Sequence, residues 1–237
     1  PAGFDPNPSF ADEFEGTELD TTKWTQRDPG VRDNCNNVPD SNRVHDGMLT
    51  ITTFSEVVAG KVENYCGMIS TKGSLSQTYG YWEASLRFHR VSGNQVAFWI
   101  QSDLMGSDLT NPEKSGVEMD VFEHLAEAGA EEFDHAIHWN GYGAAHRVWS
   151  HHGTLASLDD GEFHVFAVAW TPDGYTFTVD GDSVEASDVP VSTALEYVIL
   201  SSLVPRAFPP GGFGSYETSQ ATFDVDYVRV YPYIGKQ

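Results

Sequence analysis

The segment "SGVEMDVFEH" spans residues 115–124 and sets Glu118, Asp120 and Glu123 within six positions. Met119, Val121 and Phe122 between them are apolar and suited to a strand. A strand buried on both faces would not carry three charges, because an unpaired buried charge is costly. One face of this strand therefore lines a polar cleft. Alternation puts Glu118 and Asp120 on that face. Glu123 joins them only if one extra residue is inserted, and a β-bulge at Val121–Phe122 supplies it.

Two carboxylates about 5–5.5 Å apart suit retaining glycoside hydrolysis, in which one attacks the anomeric carbon and the other serves as acid and then base. Residues i and i+2 on one strand face are roughly 6.5–7 Å apart at the backbone. The outer pair is farther apart there, but long Glu side chains converge on a bond lying across the strand. Asp between them would hold a proton or a hydrogen bond. Like charges this close do not all ionise, so one pKa rises, as the acid role requires. A Ca²⁺ site or a solvated strand face would use the same three acids, although calcium more often gathers oxygens from loops.

The elements that must position this row are strands. Alternating segments recur at 47–54, 79–89, 94–102, 117–123, 135–139, 163–171, 174–181, 196–204 and 221–231, with Gly, Asp and Pro at most junctions. Asp173-Gly174 and Asp180-Gly181 flank a six-residue run, a hairpin signal. Helical periodicity is nearly absent: "LAEAGAEEF" (125–133) offers a helical turn, interrupted by Gly129. The segment "PRAFPPGGFGSY" (205–216) reads as a loop inside one domain covering 1–237, because strand-like sequence resumes after it. An all-β domain of two packed antiparallel sheets is the simplest architecture.

The run Glu118-Met-Asp-Val-Phe-Glu123 resembles the bulged Glu-x-Asp-x-x-Glu signature of glycoside hydrolase family 16. "FADEFEGTELDTTKW" (10–24) resembles that family's opening segment. "HDGMLTI", "YCGMISTKGSLSQTYGYWEASLRF" and "VAFWIQSD" resemble its successive strands, and "FAVAWTPDGYTFTVDG" and "FDVDYVRVY" its later ones. The resemblance implies Glu118 as nucleophile, Glu123 as acid/base and Asp120 as modulator of the nucleophile's charge. It implies a concanavalin A-like β-jelly-roll sandwich whose concave sheet forms the cleft of an endo-acting enzyme. It also implies no cofactor for the chemistry, with a structural calcium where the first strand meets the last, held by Glu13 and Glu15 together with Asp224 or Asp226.

Around the row, Trp99 occupies the position where this family commonly floors a sugar subsite, and an indole suits the apolar face of a sugar ring. Trp82 reads as core, since positions 84, 86 and 88 are apolar. The segment 134–152 carries five His, two Trp and one Tyr. His135 and His138 would face opposite sides of a strand, which argues against zinc. His138 and Trp139 are instead expected beside the cleft, with His138 bonding Glu123 as a strand neighbour does in relatives. His124 faces away. Asn42 and Arg87 would reach sugar hydroxyls, although surface roles suit them equally.

The substrate expected first is β-1,3-glucan. The segment before Glu118, "QSDLMGSDLTNPEKSGV", departs from the Trp-Pro and Gly-rich pattern of β-1,3-glucan enzymes. "FWIQSD" looks more like the galactan-cleaving branch, so agar, carrageenan or porphyran chains are the alternative. A non-catalytic glycan-binding module is the other class, but it has no need of Glu118 and Glu123 together.

The 237 residues carry 35 acids against 13 Lys and Arg, a formal charge of −22. Such a surface repels nucleic acid and anionic membrane and weighs against heavily sulfated glycans. No apolar run approaches the roughly 18 residues of a membrane span. Cys35 and Cys66 either form one bridge, closing a loop of about 30 residues for about 3 kcal/mol, or stay as two buried thiols. The chain opens at Pro1 without a signal peptide, as a mature secreted form or a trimmed chain would. A secreted monomer acting on polysaccharide is the expectation.

Overall fold

The computed structural model describes residues 1–208, 213–214 and 219–235. Short strands come first: β1 (Phe10–Asp12), β2 (Thr25–Gln26), β3 (Gly30–Arg32), β4 (Cys35–Asn37) and β5 (Asn42–His45). Asp46 and Gly47 both take positive φ, 51° and 76°. That is the two-residue turn favoured by the right-handed twist of a hairpin, and it leads into β6 (Met48–Val58). Next come β7 (Lys61–Ser70), β8 (Gly80–Phe88) and β9 (Gln95–Gln101). The acid row lies on β10 (Glu118–His124), followed by β11 (Glu132–Trp139) and β12 (Arg147–Thr154). The chain then runs through β13 (His164–Thr171), β14 (Gly174–Val179), β15 (Asp182–Ala186), β16 (Tyr197–Leu203) and β17 (Gln220–Tyr231).

The pairings resolve into two layers of a β-jelly-roll sandwich. One layer runs β12-β11-β10-β9-β16-β7-β2. The other runs β15-β14-β13-β8-β17, with β6 and β1 along the far side of β17. The β6–β7 hairpin joins them, since β7 pairs β6 at 61–65 and β16 at 67–70. Trp82, Leu86, Phe98, Phe122, Phe166 and Val198 meet fully buried between the layers. A smaller cluster around Met68, Trp99, Tyr197 and Ile199 lies on the other side of the β10-bearing sheet. Cys35 and Cys66 are bonded, with Cα atoms 5.9 Å apart. The bridge ties β4 to β7 beside their parallel pairing.

The structure departs from the sequence reading in two places. Residues 125–131 form turns, not a helix, and Gly129 N–H donates to Glu132 Oε2 at 2.6 Å. A helical turn sits instead in the lead to β10: α1 (Pro112–Ser115), capped by Asn111, whose Oδ1 accepts from Lys114 N–H. The four acids named for calcium do not gather into one cluster. Glu13 is engaged by Arg229 Nε and Nη2 at 2.8 and 2.7 Å, a pairing that lowers its pKa. Asp224 accepts from Thr50 Oγ1 at 2.6 Å and Arg87 Nε at 3.0 Å. Glu15 and Asp226 join neither pair. Of the loop expected at 205–216, residues 209–212 and 215–216 lie outside the described residues.

Candidate active site

The register of β10 shows how three acids share one face. Glu118 pairs with Gln101 of β9 and His138 of β11, and Asp120 pairs with Trp99 and Ala136. Glu123 then pairs with Ala97 and Asp134, so three steps on β10 match two on each neighbour. This is a β-bulge. Its local cause is packing. Val121 and Phe122 both turn into the inter-sheet core, where the Phe122 ring lies 4.5 Å from Phe166 and 5.7 Å from Phe88. With two consecutive side chains pointing inward, Glu123 is returned to the face of Glu118 and Asp120.

That face opens on a cleft of about 360 Å³. One wall is the alternating face of β9: Gln95, Ala97, Trp99 and Gln101. Gln101 Nε2 donates to Glu118 Oε2 at 2.6 Å, and Gln95 Nε2 donates to Glu123 Oε1 at 2.5 Å. Each outer acid thus has its own glutamine at one end of one strand. Gln101 is held in turn by Arg27, whose Nη2 donates to its Oε1 at 2.8 Å while Nη1 donates to Tyr197 Oη at 2.7 Å. Glu118 also accepts from the Tyr142 hydroxyl. His138 Nε2 lies 3.2 Å from Asp120 Oδ2.

Burial raises all three acids. Glu118 is pushed to about 7 by burial and then by the charge of Asp120, while Tyr142, His138 and Arg27 pull the other way. Glu123 is pushed to about 8 by burial and Asp120, opposed chiefly by Gln95. Asp120 rises to about 7 through burial and the charge of Asp134. The difference between the outer acids has a structural cause. Glu118 has two donors and a nearby guanidinium, and Glu123 has one donor. Glu118 gives up its proton first, leaving Glu123 the better acid.

Trp99 lines the cleft, its Nε1 donating to Ser201 Oγ at 3.1 Å. The Arg27 guanidinium stands 5.5 Å from its ring centroid, so the floor is shared between them. The other expected contacts fall elsewhere. His138 meets Asp120 and not Glu123, because His138 stands opposite Glu118 in the register while Glu123 stands opposite Asp134, four residues along β11. Trp139 alternates with His138 and packs against the inter-sheet core. Asn42 is buried off the cleft, donating to Gln26 Oε1 at 2.8 Å. Arg87 lies in the other sheet, paired with Asp224 and set over the Phe163 ring at 4.5 Å. Among the described residues, Glu118, Asp120 and His138 are the one place where three such ligand atoms gather, within 4.8 Å. Glu118 in this group also meets Gln101 and Tyr142.

Sequence reading missed Gln95, Gln101, Arg27 and Tyr142. The two glutamines had a signal: positions 95, 97, 99 and 101 alternate onto one face, and Trp99 was already placed there. Arg27 and Tyr142 had none, since chain closure alone brings them to β10.

The profile of the glycosyl hydrolases family 16 matches residues 31–228. The endo-1,3-1,4-beta-glycanase EglC of Rhizobium meliloti is 28% identical over 197 residues, covering 79% of this chain but 39% of that protein. The beta-porphyranase E of Zobellia galactanivorans is 26% identical over 248 residues, covering 95% of this chain and 86% of that protein. The fold is similar to that of the catalytic domain of an endo-1,3-beta-glucanase (laminarinase) from Thermotoga petrophila, with a TM-score of 0.77, 19% identity, and coverage of 99% of this chain and 100% of that one. The strand order, the bulged acid row and the profile match across residues 31–228 agree, and the chain belongs to the glycosyl hydrolases family 16.

Proposed function

We propose that this chain is a secreted, endo-acting, retaining β-glycan hydrolase, with β-1,3-glucan as its leading substrate. The observation that carries the reading is the bulge that turns Glu118 and Glu123 into one cleft with Asp120 between them. An ionised Glu118 attacks the anomeric carbon as the glycosidic C–O bond breaks, and Glu123 protonates the departing oxygen. Glu123, now ionised, takes a proton from water, which attacks the anomeric carbon and releases Glu118. Burial, with the partial negative charge of Asp120 beside it, holds the acid protonated near neutrality. A second cavity of about 430 Å³ shares Gln95 and Pro205 with the cleft, so the groove continues past Glu123 and has room for further sugar units, as an endo-acting enzyme needs. The Cys35–Cys66 bridge suits an oxidising compartment.

Arg27 and Arg32 in the cleft favour a second reading, a galactan carrying anionic groups. Their guanidinium groups would give a sulfate ester a cationic partner, in competition with Asp28, which Arg32 meets at 2.8 Å. Reducing-end release from laminarin, mixed-linkage glucan, agar, carrageenan and porphyran tests both readings. Glu118→Gln and Glu123→Gln are each expected to lower turnover by several powers of ten while leaving the fold intact. Near-full activity in either variant would overturn the assignment, and a wild-type chain that binds but never cleaves would make it a glycan-binding module.

A further inference from the structure

The β11–β12 connection, "NGYGAAH" (140–146), reaches over the cleft. Asn140 and Gly141 reverse the chain there with φ of 65° and 67°. Gly141 packs backbone to backbone on Gly106 of the β9–β10 loop, where a Cβ on Gly106 would stand 2.8 Å from Gly141 Cα. Tyr142 is 63% exposed as a residue, yet its hydroxyl turns inward and ends on Glu118 Oε2. Gln101 Nε2, which donates to the same Oε2, also reaches Tyr142 Oη at 3.1 Å. The loop ends at His146, whose Nε2 lies 2.9 Å from His138 Nδ1, while the other nitrogen of His138 faces Asp120. A single seven-residue loop therefore meets the acid row directly at Glu118 and indirectly, through His138, at Asp120.

We propose that Tyr142 is a catalytic residue whose hydroxyl is a hydrogen-bond donor to the nucleophile, and that His146 is a positioning residue that anchors the loop carrying it. The proposal rests on Glu118 being the nucleophile. Tyr142 stays protonated, because burial and the charge of Glu118 push its pKa well up. It therefore donates and takes no proton. When a Glu118 oxygen bonds to the anomeric carbon, the leaving oxygen receives its proton from Glu123, and the carboxylate charge is lost to the ester. The charge returns when water cleaves that ester. A donor held on Glu118, which is itself buried, favours the ionised resting state and the second half of the cycle. The charged groups facing Glu118 are Asp120 and Glu123 on its own strand, His138 from β11, with His146 behind it, Arg27 beyond β2, and Glu196, which accepts from Val117 N–H beneath the start of β10. Most are set within sheets, and Tyr142 is the one donor that a loop delivers.

The test combines the pH dependence of kcat/KM with ¹³C NMR of glutamate carboxyls in wild type and Tyr142→Phe. Loss of one hydrogen bond to a charged group predicts a fall in kcat of about 10–100-fold. KM should change little, and both the acidic limb and the Glu118 carboxyl titration should move up by about one pH unit. Gly106→Ala, which displaces the loop without altering a cleft group, should move them the same way. An unmoved titration, or a Tyr142→Phe enzyme that is as fast as wild type or faster, would overturn the proposal and make Tyr142 a plug or a sugar platform. If no glycan is cleaved by wild type, the reading of the site as a hydrolase fails. The NMR titration still decides whether Tyr142 donates to Glu118.

Discussion

Replacing Asp120 with Asn removes a charge that both outer acids feel, and burial and Asp120 are the two largest causes raising each of them. The facing atoms of Glu118, Asp120 and His138 lie within 4.8 Å. At that separation two unit charges interact by roughly 3–4 kcal/mol for an effective dielectric constant of about 20. The His138 imidazole beside Asp120 offsets part of this, and Asp120, itself raised to about 7, is only partly ionised near neutrality. A net shift of about one pK unit in each outer acid is expected. The sign is the same for both, with opposite consequences at the two limbs. Glu118 works ionised, so the acidic limb of kcat/KM moves to lower pH. Glu123 works protonated, so the basic limb moves to lower pH as well. The bell slides toward acid without broadening, alongside a fall in its height. Initial rates of reducing-end release between pH 4 and 9, on whichever glycan the wild type cleaves, measure it. A lowered but unshifted bell would mean that Asp120 acts through geometry alone, and the electrostatic account would be refuted.

Glu196 is fully buried with its Oε2 unpartnered, and burial raises its pKa to about 8. Its neutral form stabilises the fold below the ordinary carboxylate range, and that contribution is lost as pH rises through about 8. Glu196→Gln keeps the acceptor for Val117 N–H and Ser192 Oγ. Its melting temperature should therefore gain on the wild type's as pH rises from about 5 to about 8 and hold that gain at higher pH, and parallel curves from pH 5 to 9 would refute this. The Cys35–Cys66 bridge closes a sequence separation of 31 residues, for which loop entropy gives about 3–4 kcal/mol. Reduction, or Cys35→Ser with Cys66→Ser, should lower the melting temperature by about 6–16 °C on calorimetry, and an unchanged melt would show that the bridge is not formed.

How far the site could be read from sequence follows from which side-chain placements obey a local period. The acid row was legible because Glu118 and Asp120 alternate and Glu123 breaks the alternation by one residue, a pattern a bulge satisfies. The same rule, applied to the neighbours, would have excluded two residues. Trp139 follows His138 and so faces the core, and Arg87 shares its face with Glu83 and Ser85 on a strand of the other sheet. Gln95 and Gln101 were readable from the face already assigned to Trp99. Arg27 was not, since it meets Gln101 from 74 residues away and Tyr197 from 170. Tyr142 sits on a connection where no period operates, and its reach to Glu118 depends on Gly106 and Gly141 docking. The four acids named for calcium stay apart for a different reason. Arginines at 87 and 229, opposite Asp224 and Glu13 in the folded sheet, claim two of its acids.

The double displacement proposed for Glu118 and Glu123 depends on the bulge that turns them to one face. Time-resolved ¹H NMR of the first product formed from a β-linked glycan tests it most directly. The account predicts that the β-anomer appears first and the α-anomer grows in only by mutarotation. An α-anomer present from the earliest spectrum would contradict it, whatever the glycan proves to be.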